Sequence, residues 1–326
     1  FLKKPLIILT GPTAVGKTKL SISLAKAVNG AIISADSMQV YRHMDIGSAK
    51  IRPEEMCGVP HYLIDVLDPS EEFHVVKFVE LAHEAMEKIY AAGQIPIVTG
   101  GTGFYIQALL KEVDFTESHG ELPIRKQLEE KAATEEGAAE LYRELSEVDS
   151  ASAETIHPNN VKRVIRALEY YHETGQKISE HNEEQKQKES PYCSAYFVLN
   201  DERSILYDRI DRRVDQMICD GLVDEVFHLK EMGYTRDLVS MQGLGYKELF
   251  PYLAGECTLE EAVYIIKRDT RHFAKRQLTW FRREKDVIWL NKPDFDYDEE
   301  KILSYMLDRW NEIVSADAKE EGEQSC

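Results

Sequence analysis

The sequence predicts an α/β protein: a parallel sheet flanked by helices, with a helical domain inserted into it. Three observations carry this reading. Strand-like and helix-like stretches alternate over residues 5–99, residues 121–188 offer no convincing strand, and strand signals return at 195–199 and 287–290. Strand, helix and strand in alternation imply a parallel sheet covered on both faces, because each crossover helix must lie on one of them.

Residues 5–10 form a short, continuous apolar run, as a strand buried on both faces requires. Leu20, Leu24, Ala27 and Val28 then repeat at helical spacing, with Gly30 as the expected stop. Residues 31–35 read as the second strand. Val75, Phe78, Val79, Ala82, Met86 and Ile89 mark a helix ended by Gly93, and 95–99 reads as the third strand. Near residue 117 the composition turns to Glu, Lys, Ala and Gln, and the polar stretch 181–190 closes this insertion. Residues 205–229 read as one helix with Leu206, Ile210, Val214 and Met217 as its buried stripe. The expected organisation is a core of residues 1–116 and 191–293, an insertion over 117–190, and a loosely attached acidic tail over 294–326. There is no internal repeat.

With 43% hydrophobic and 30% charged residues, the 326-residue chain is not mainly disordered. Its formal charge of −18 argues against a nucleic-acid partner only until that charge is located: residues 292–326 hold eleven acidic and four basic side chains. Elsewhere basic residues cluster, and local potential counts for more than the total. Five scattered cysteines show no Cys-x-x-Cys or Cys/His spacing, which argues against a disulfide framework or a zinc site and fits a reducing compartment. No apolar run approaches the roughly 18–20 residues of a membrane span. No signal peptide is visible, so a soluble cytoplasmic protein without a membrane partner is expected.

Gly11, Pro12, Thr13, Ala14, Val15, Gly16, Lys17 and Thr18 spell G-x-x-x-x-G-K-[ST] between a strand and a helix. The glycines let successive N–H groups face inward, and the helix N-terminus adds partial positive charge. Lys17 would reach the outer phosphate, and Thr18 would ligate Mg²⁺ beside it. The core is therefore expected to be P-loop NTPase-like. Which phosphate chain binds is left open. An ATP-dependent small-molecule kinase usually shows an apolar strand ending in an acid that holds Mg²⁺, and the best candidate, Tyr62-Leu-Ile-Asp65, is short and followed by Asp68.

The second strand runs into Asp36, Ser37, Met38 and Gln39. Neighbouring strands of an open parallel sheet end at one crevice, so Asp36 should stand beside the phosphate loop. There it could act as a general base or, equally, as a helix N-cap or an indirect Mg²⁺ partner. The third strand ends in Gly100-Gly-Thr-Gly103, where Thr102 offers a hydroxyl to the crevice or simply closes a turn. Arg209, Arg213 and Gln216 share a helix face on which an arginine could clamp a diphosphate. Asp208, Asp211 and Asp215 make a solvated salt-bridge face the even alternative. Lys162, Arg163 and Arg166 look outward from a helix opened by His157-Pro-Asn-Asn160, with Val161, Val164, Ile165 and Leu168 turned inward. Arg268, Arg271, Lys275, Thr279 and Arg282 form a second basic stripe, interleaved by Phe273, Trp280 and Phe281. Two such stripes in an acidic protein suit a nucleic-acid backbone.

From about residue 5 to residue 289 the chain resembles the bacterial-type tRNA isopentenyltransferase (tRNA dimethylallyltransferase) family. The resemblance rests on the phosphate loop, Ala-Asp-Ser-Met-Gln-Val-Tyr (35–41), Asp-Ile-Gly-Ser-Ala-Lys (45–50), Gly-Gly-Thr-Gly-Phe-Tyr (100–105) and Asn-Asn-Val-Lys-Arg-Val-Ile-Arg-Ala-Leu-Glu (159–169). Further on come Arg-Ile-Asp-Arg-Arg-Val (209–214), Gln-Gly-Leu-Gly-Tyr-Lys-Glu (242–248) and Lys-Arg-Gln-Leu-Thr-Trp (275–280). The phosphate loop alone is shared by many enzymes; the ordered set is specific. The zinc finger of eukaryotic members is absent, and Ser48 and Gly103 depart from the usual threonine and bulkier residue, which bears on the shape of the prenyl pocket.

The resemblance implies that the loop binds dimethylallyl diphosphate with Mg²⁺, and that the prenyl group goes to N6 of the adenosine just 3′ of a tRNA anticodon. Asp36 would accept or orient the amine proton. Lys17, Thr18 with Mg²⁺, Thr102 and either Arg209 or Arg213 would stabilise the departing diphosphate, with Arg213 favoured. The target base would flip into a channel lined by Asp36, Ser37, Met38 and Gln39. Asn160, Val161, Lys162, Arg163 and Arg166 would hold the anticodon stem-loop. Gln242, Gly243, Lys247, Arg271, Lys275 and Arg276 would contact the RNA from the core. One chain could act as a monomer. The competing readings are the kinase, a non-catalytic RNA-binding protein, and a prenyltransferase acting on free AMP.

Overall fold

The computed structural model describes residues 3–113 and 123–324. The core begins with β1 (Lys4–Thr10), α1 (Lys17–Val28), β2 (Gly30–Ser34), β3 (His61–Tyr62), α2 (Val75–Ala91), β4 (Ile95–Gly100) and α3 (Gly103–Leu110). The insertion follows as α4 (Pro123–Lys131), α5 (Glu135–Val148), α6 (Ser150–Thr155), α7 (Val161–Thr174) and α8 (Ile178–Gln187). The core resumes with β5 (Tyr192–Asn200), α9 (Arg203–Cys219), α10 (Leu222–Glu231), α11 (Leu249–Leu253), α12 (Leu259–Phe281), β6 (Val287–Asn291) and α13 (Glu299–Gln324). The chain divides into two compact units, Phe1–Leu110 with Pro191–Cys326, and Lys111–Ser190. The boundary expected between residues 116 and 117 lies outside the described residues.

The six strands are all parallel, in the order β3-β2-β4-β1-β5-β6. Strand β1 is central, with Ile8 opposite Val98 on one side and Tyr196 on the other. Alternate strand residues serve opposite faces. Leu6, Ile8, Ile33 and Val98 pack with Phe78 and Ile89 of α2 and with Ile106 and Leu109 of α3. Ile7, Leu9, Ile32 and Phe197 pack with Leu20 and Leu24 of α1 and Ile210 of α9.

The second of these faces overturns the expectation of a loose tail. Ile302, Met306 and Trp310 of α13 are buried in it. They recur every fourth residue, a stripe that the acidic composition of the segment obscured. At about 2 kcal/mol for each large apolar side chain buried, they hold the helix firmly.

Two helix ends also differ from expectation. Helix α1 stops at Val28 because Asn29 takes the left-handed conformation at φ 51°. Gly30 instead opens β2, where a Cβ would lie 2.9 Å from the Ile95 carbonyl oxygen. The single helix expected over 205–229 is broken into α9 and α10 at Gly221, whose φ is 101°.

The insertion has its own small core, built by Leu128, Leu141, Leu145, Val164, Ile165 and Leu168. Buried Asp149 caps α6 and accepts from the backbone and hydroxyl of both Ser152 and Ser179. Among the described residues, no helix is long and apolar enough to cross a membrane.

Candidate active site

The phosphate loop is shaped by backbone that only certain residues tolerate. Gly11 and Gly16 take φ of 146° and 101°, and a Cβ on Gly11 would lie 2.3 Å from the Leu199 carbonyl oxygen. Gly16 is the N-cap of α1 and provides no side-chain cap. The first N–H groups of the helix are thereby left for an anion. Lys17 Nζ donates to the carbonyls of Gly11 (2.9 Å) and Pro12 (2.8 Å). Burial above all, and then the Arg213 guanidinium, push the Lys17 ammonium down to about 7, against the pull of Asp36. Burial also holds Arg213 below its ordinary value, again opposed by Asp36. Two cationic groups thus face one carboxylate, an imbalance that favours a further anion.

A cavity of about 720 Å³ opens at this loop within the core unit. Its walls bring together Thr13, Ala14, Gly16, Lys17 and Thr18 with Asp36, Ser37, Met38, Gln39 and Thr102, as the convergence of strand ends requires. Arg209, Arg213, Gln242, Gly243, Lys247 and Arg276 complete it from the second half of the core. Asp36 Oδ1 accepts from the N–H groups of Met38 (2.8 Å) and Gln39 (3.3 Å), and Oδ2 has no donor among the described residues. The capping and catalytic readings of Asp36 are thus compatible: one oxygen fixes the turn while the other is available.

Several expected contact residues have partners of their own. Gln39 accepts from the Ser34 hydroxyl at 3.1 Å and donates to the carbonyls of Ser48 and Ala49, so its amide braces the cavity wall instead of being free for a base. Gln242 donates to the Arg236 carbonyl at 2.5 Å. Met38 rests on Gly243, where a Cβ would lie 2.3 Å from its Cε. Arg271 is ion-paired with Asp211 at 2.5 Å and does not line the cavity. Lys275 joins Arg276, His272 and Arg283 around a second depression on α12. In the insertion unit, Lys162, Arg163 and Asn160 are exposed, whereas Arg166 holds the buried carboxylate of Glu169 at 2.9 Å.

The two arginines of α9 are distinguished by their partners. Arg209 is paired with the buried Asp201 at 2.7 Å. Arg213 has no ion pair among the described residues, because Asp211 and Asp215 turn to Arg271 and Lys267 of α12. The candidate acid of the kinase reading is also engaged. Lys50, its side chain 5% exposed, binds Asp65 at 2.5 Å and Asp45 at 2.6 Å. β4, the strand between β1 and β2, ends in Gly100 and runs on through Gly101 and Thr102, with no carboxylate.

Mg²⁺ fits the donor set. Thr18 is exposed in the first turn of α1, and its hydroxyl has no partner among the described residues. The described residues contain no cluster of three or more metal-binding side chains. A hard cation held by one hydroxyl, diphosphate oxygens and water needs no more than this.

Two residues that organise the site carried no assigned role in the sequence. Gln277 Oε1 accepts from the Thr13 N–H at 2.9 Å, and its Nε2 donates to the Gly101 carbonyl at 3.0 Å. The 275–280 motif contained it, but nothing local showed what it touches. Glu225 accepts from the N–H groups of Asp45 (3.0 Å), Ile46 (2.8 Å) and Gly47 (3.1 Å) and from the Tyr246 hydroxyl (2.7 Å). In the sequence it is one glutamate among many.

The profile of the IPP transferase family matches residues 39–284, and that of the isopentenyl transferases matches residues 4–72. This chain belongs to the tRNA dimethylallyltransferase family. A curated member from Lachnoclostridium phytofermentans, named tRNA dimethylallyltransferase, is 66% identical over 304 residues, covering 93% of this chain and 96% of its own. The full-length tRNA isopentenylpyrophosphate transferase of Bacillus halodurans superposes with a TM-score of 0.73 at 44% identity, covering 98% of this chain and all of that one. A eukaryotic dimethylallyltransferase described as acting on tRNA superposes with a TM-score of 0.76 at 35% identity, over 88% of this chain and 74% of its own.

Proposed function

We infer that the protein transfers the dimethylallyl group of dimethylallyl diphosphate to N6 of the adenosine on the 3′ side of a tRNA anticodon. The observation that carries this reading is one cavity holding a phosphate loop together with an arginine and a carboxylate oxygen that have no partner among the described residues. The family's named activity supports the substrates.

The chemistry follows from those groups. An exocyclic amine is a poor nucleophile, so Asp36 Oδ2 takes its proton as N6 bonds to the allylic carbon and the carbon–oxygen bond to the diphosphate breaks. The leaving diphosphate is stabilised by the loop N–H groups, Lys17, the Thr102 hydroxyl and Arg213. Thr18 would hold Mg²⁺, which would supply positive charge beside the diphosphate. The target base leaves the anticodon-loop stack to enter the cavity, where Ser37 and Met38 meet it. Gly243, Lys247, Lys275 and Arg276 contact the RNA from the core, and Asn160, Lys162 and Arg163 from the insertion. Arg209, Arg166 and Arg271 act through the acids they hold.

The kinase reading loses support with Asp65 engaged by Lys50. Mass spectrometry of an unmodified anticodon stem-loop incubated with the protein, Mg²⁺ and dimethylallyl diphosphate tests the proposal. One prenyl unit gained on the adenosine 3′ of the anticodon, and lost in Asp36→Ala, is the expected result. ATP turnover without prenylation overturns it.

A further inference from the structure

Lys292 follows directly on β6, in the stretch the sequence presented as the start of an acidic tail. It is 9% exposed. Among the described residues its ammonium has neither a hydrogen bond nor an ion pair, and burial holds its pKa below the ordinary value, with Arg209 adding to the effect. Two carboxylates attract it, but both are engaged: Asp201 with Arg209 at 2.7 Å and Glu299 with Lys19 at 2.7 Å. The side chain is thus largely covered while its ammonium lacks a partner among the described residues.

The direction of the side chain shows what would pair with it. Lys292 Nζ lies 3.0 Å from where a Cβ on Gly16 would be. Gly16 lines the cavity and is the N-cap of α1, at the positive end of the helix dipole. A side chain on residue 16 would crowd the ammonium, and the bare glycine leaves it room beside the loop. The ammonium and the first turn of α1 therefore both lie beside Gly16.

We propose that Lys292 is a further cation of the diphosphate site, reaching the leaving diphosphate past Gly16. This deepens the reading of the cavity as a diphosphate site and rests on it. The ammonium is held unpaired in the free protein and gains its partner when the diphosphate binds. Its role is then to bind the ground state and to take up charge as the carbon–oxygen bond breaks.

The test compares the full chain with Lys292→Met and Lys292→Arg, using inorganic pyrophosphate with Mg²⁺ as the calorimetric probe. Lys292→Met is expected to weaken pyrophosphate binding by about tenfold or more. It should raise KM for dimethylallyl diphosphate while leaving KM for tRNA unchanged. Because it breaks no hydrogen bond or ion pair among the described residues, the Tm of the ligand-free variant should match or exceed that of the parent. Lys292→Arg should restore most of the affinity. Pyrophosphate binding by Lys292→Met within about twofold of the parent overturns the proposal. So does a Tm that falls together with affinity and is not separately rescued by arginine, since that marks a structural lysine. If the parent itself binds no pyrophosphate, the diphosphate reading of the cavity fails first, and the assignment of Lys292 with it.

Discussion

Gln277 Nε2 donates to the Gly101 carbonyl at 3.0 Å, and a Cβ on Gly101 would lie 2.1 Å from that same nitrogen. The glycine is thus the space the amide occupies. Because Oε1 of Gln277 also accepts from Thr13, one buried side chain of α12 ties the phosphate loop to the loop after β4. A carboxylate at this position would lose the donor to Gly101, and an alanine would lose both bonds.

Gln277→Ala leaves a half-buried N–H and a half-buried carbonyl unpaired, at about 1–3 kcal/mol each before water relieves them. A loss of roughly 2 kcal/mol in urea unfolding is expected, with a larger fall in kcat for prenyl transfer than in tRNA affinity. Gly101→Ala should reproduce the kinetic defect through the clash with the amide. Kinetics unchanged in both variants would remove Gln277 from any part in positioning the loops.

Arg209 and Arg213 separate on different readouts. Arg213→Ala should raise KM for dimethylallyl diphosphate or lower kcat by about tenfold to a hundredfold, with Tm preserved, because the guanidinium has no ion pair to lose among the described residues. Arg209→Ala should instead destabilise by about 3 kcal/mol, since it removes the ion-pair partner of the fully buried Asp201 carboxylate. Thermal unfolding and steady-state kinetics on the two variants decide this, and equal effects on both readouts would contradict it.

The ammonium of Lys17 makes ligand-free stability depend on pH in a definite direction. Its folded-state value of about 7 lies below the ordinary 10.5, so between those values the unfolded chain binds more protons. The stability it contributes therefore rises with pH through that window, and the penalty is complete below it. Lys17→Met should flatten this rise in urea unfolding. At pH 8, pyrophosphate binding to the parent should take up a proton, read as a binding heat that varies with buffer ionisation enthalpy. No uptake, or equal uptake by Lys17→Met, would place the lysine away from the anion.

Lys162 and Arg163 are exposed and unpaired among the described residues, unlike Arg166. Charge reversal of both should raise KM for tRNA and flatten its salt dependence by about one unit of log–log slope per lost phosphate contact. Folding should be untouched. Unchanged KM would favour a prenyl acceptor smaller than tRNA.

The sheet was readable from single strands because burial on both faces writes itself as a continuous apolar run, as in residues 5–10. The phosphate loop was readable because its glycines answer a backbone demand that is local. Asp36, Thr102 and Lys17 could be placed at one crevice from strand order alone, since parallel strands end together. Other features were hidden. The fourfold spacing of Ile302, Met306 and Trp310 was present, but net acidity masked a helix that closes the core.

By itself, then, the sequence determined the parallel α/β core, the anion loop at its centre and the carboxylate beside it, because each follows from periodicity or from contacts within a few residues. Only the tertiary structure decided which charges are free. Arg209 and Arg213 lie one helical turn apart, yet Asp201 engages the first and leaves the second to the cavity. Gln277, Glu225 and Lys292 act on backbone or glycine positions far from them in the chain, and only folding brings those positions together. Charge pairing and desolvation depend on three-dimensional neighbours, and residue type alone does not specify them.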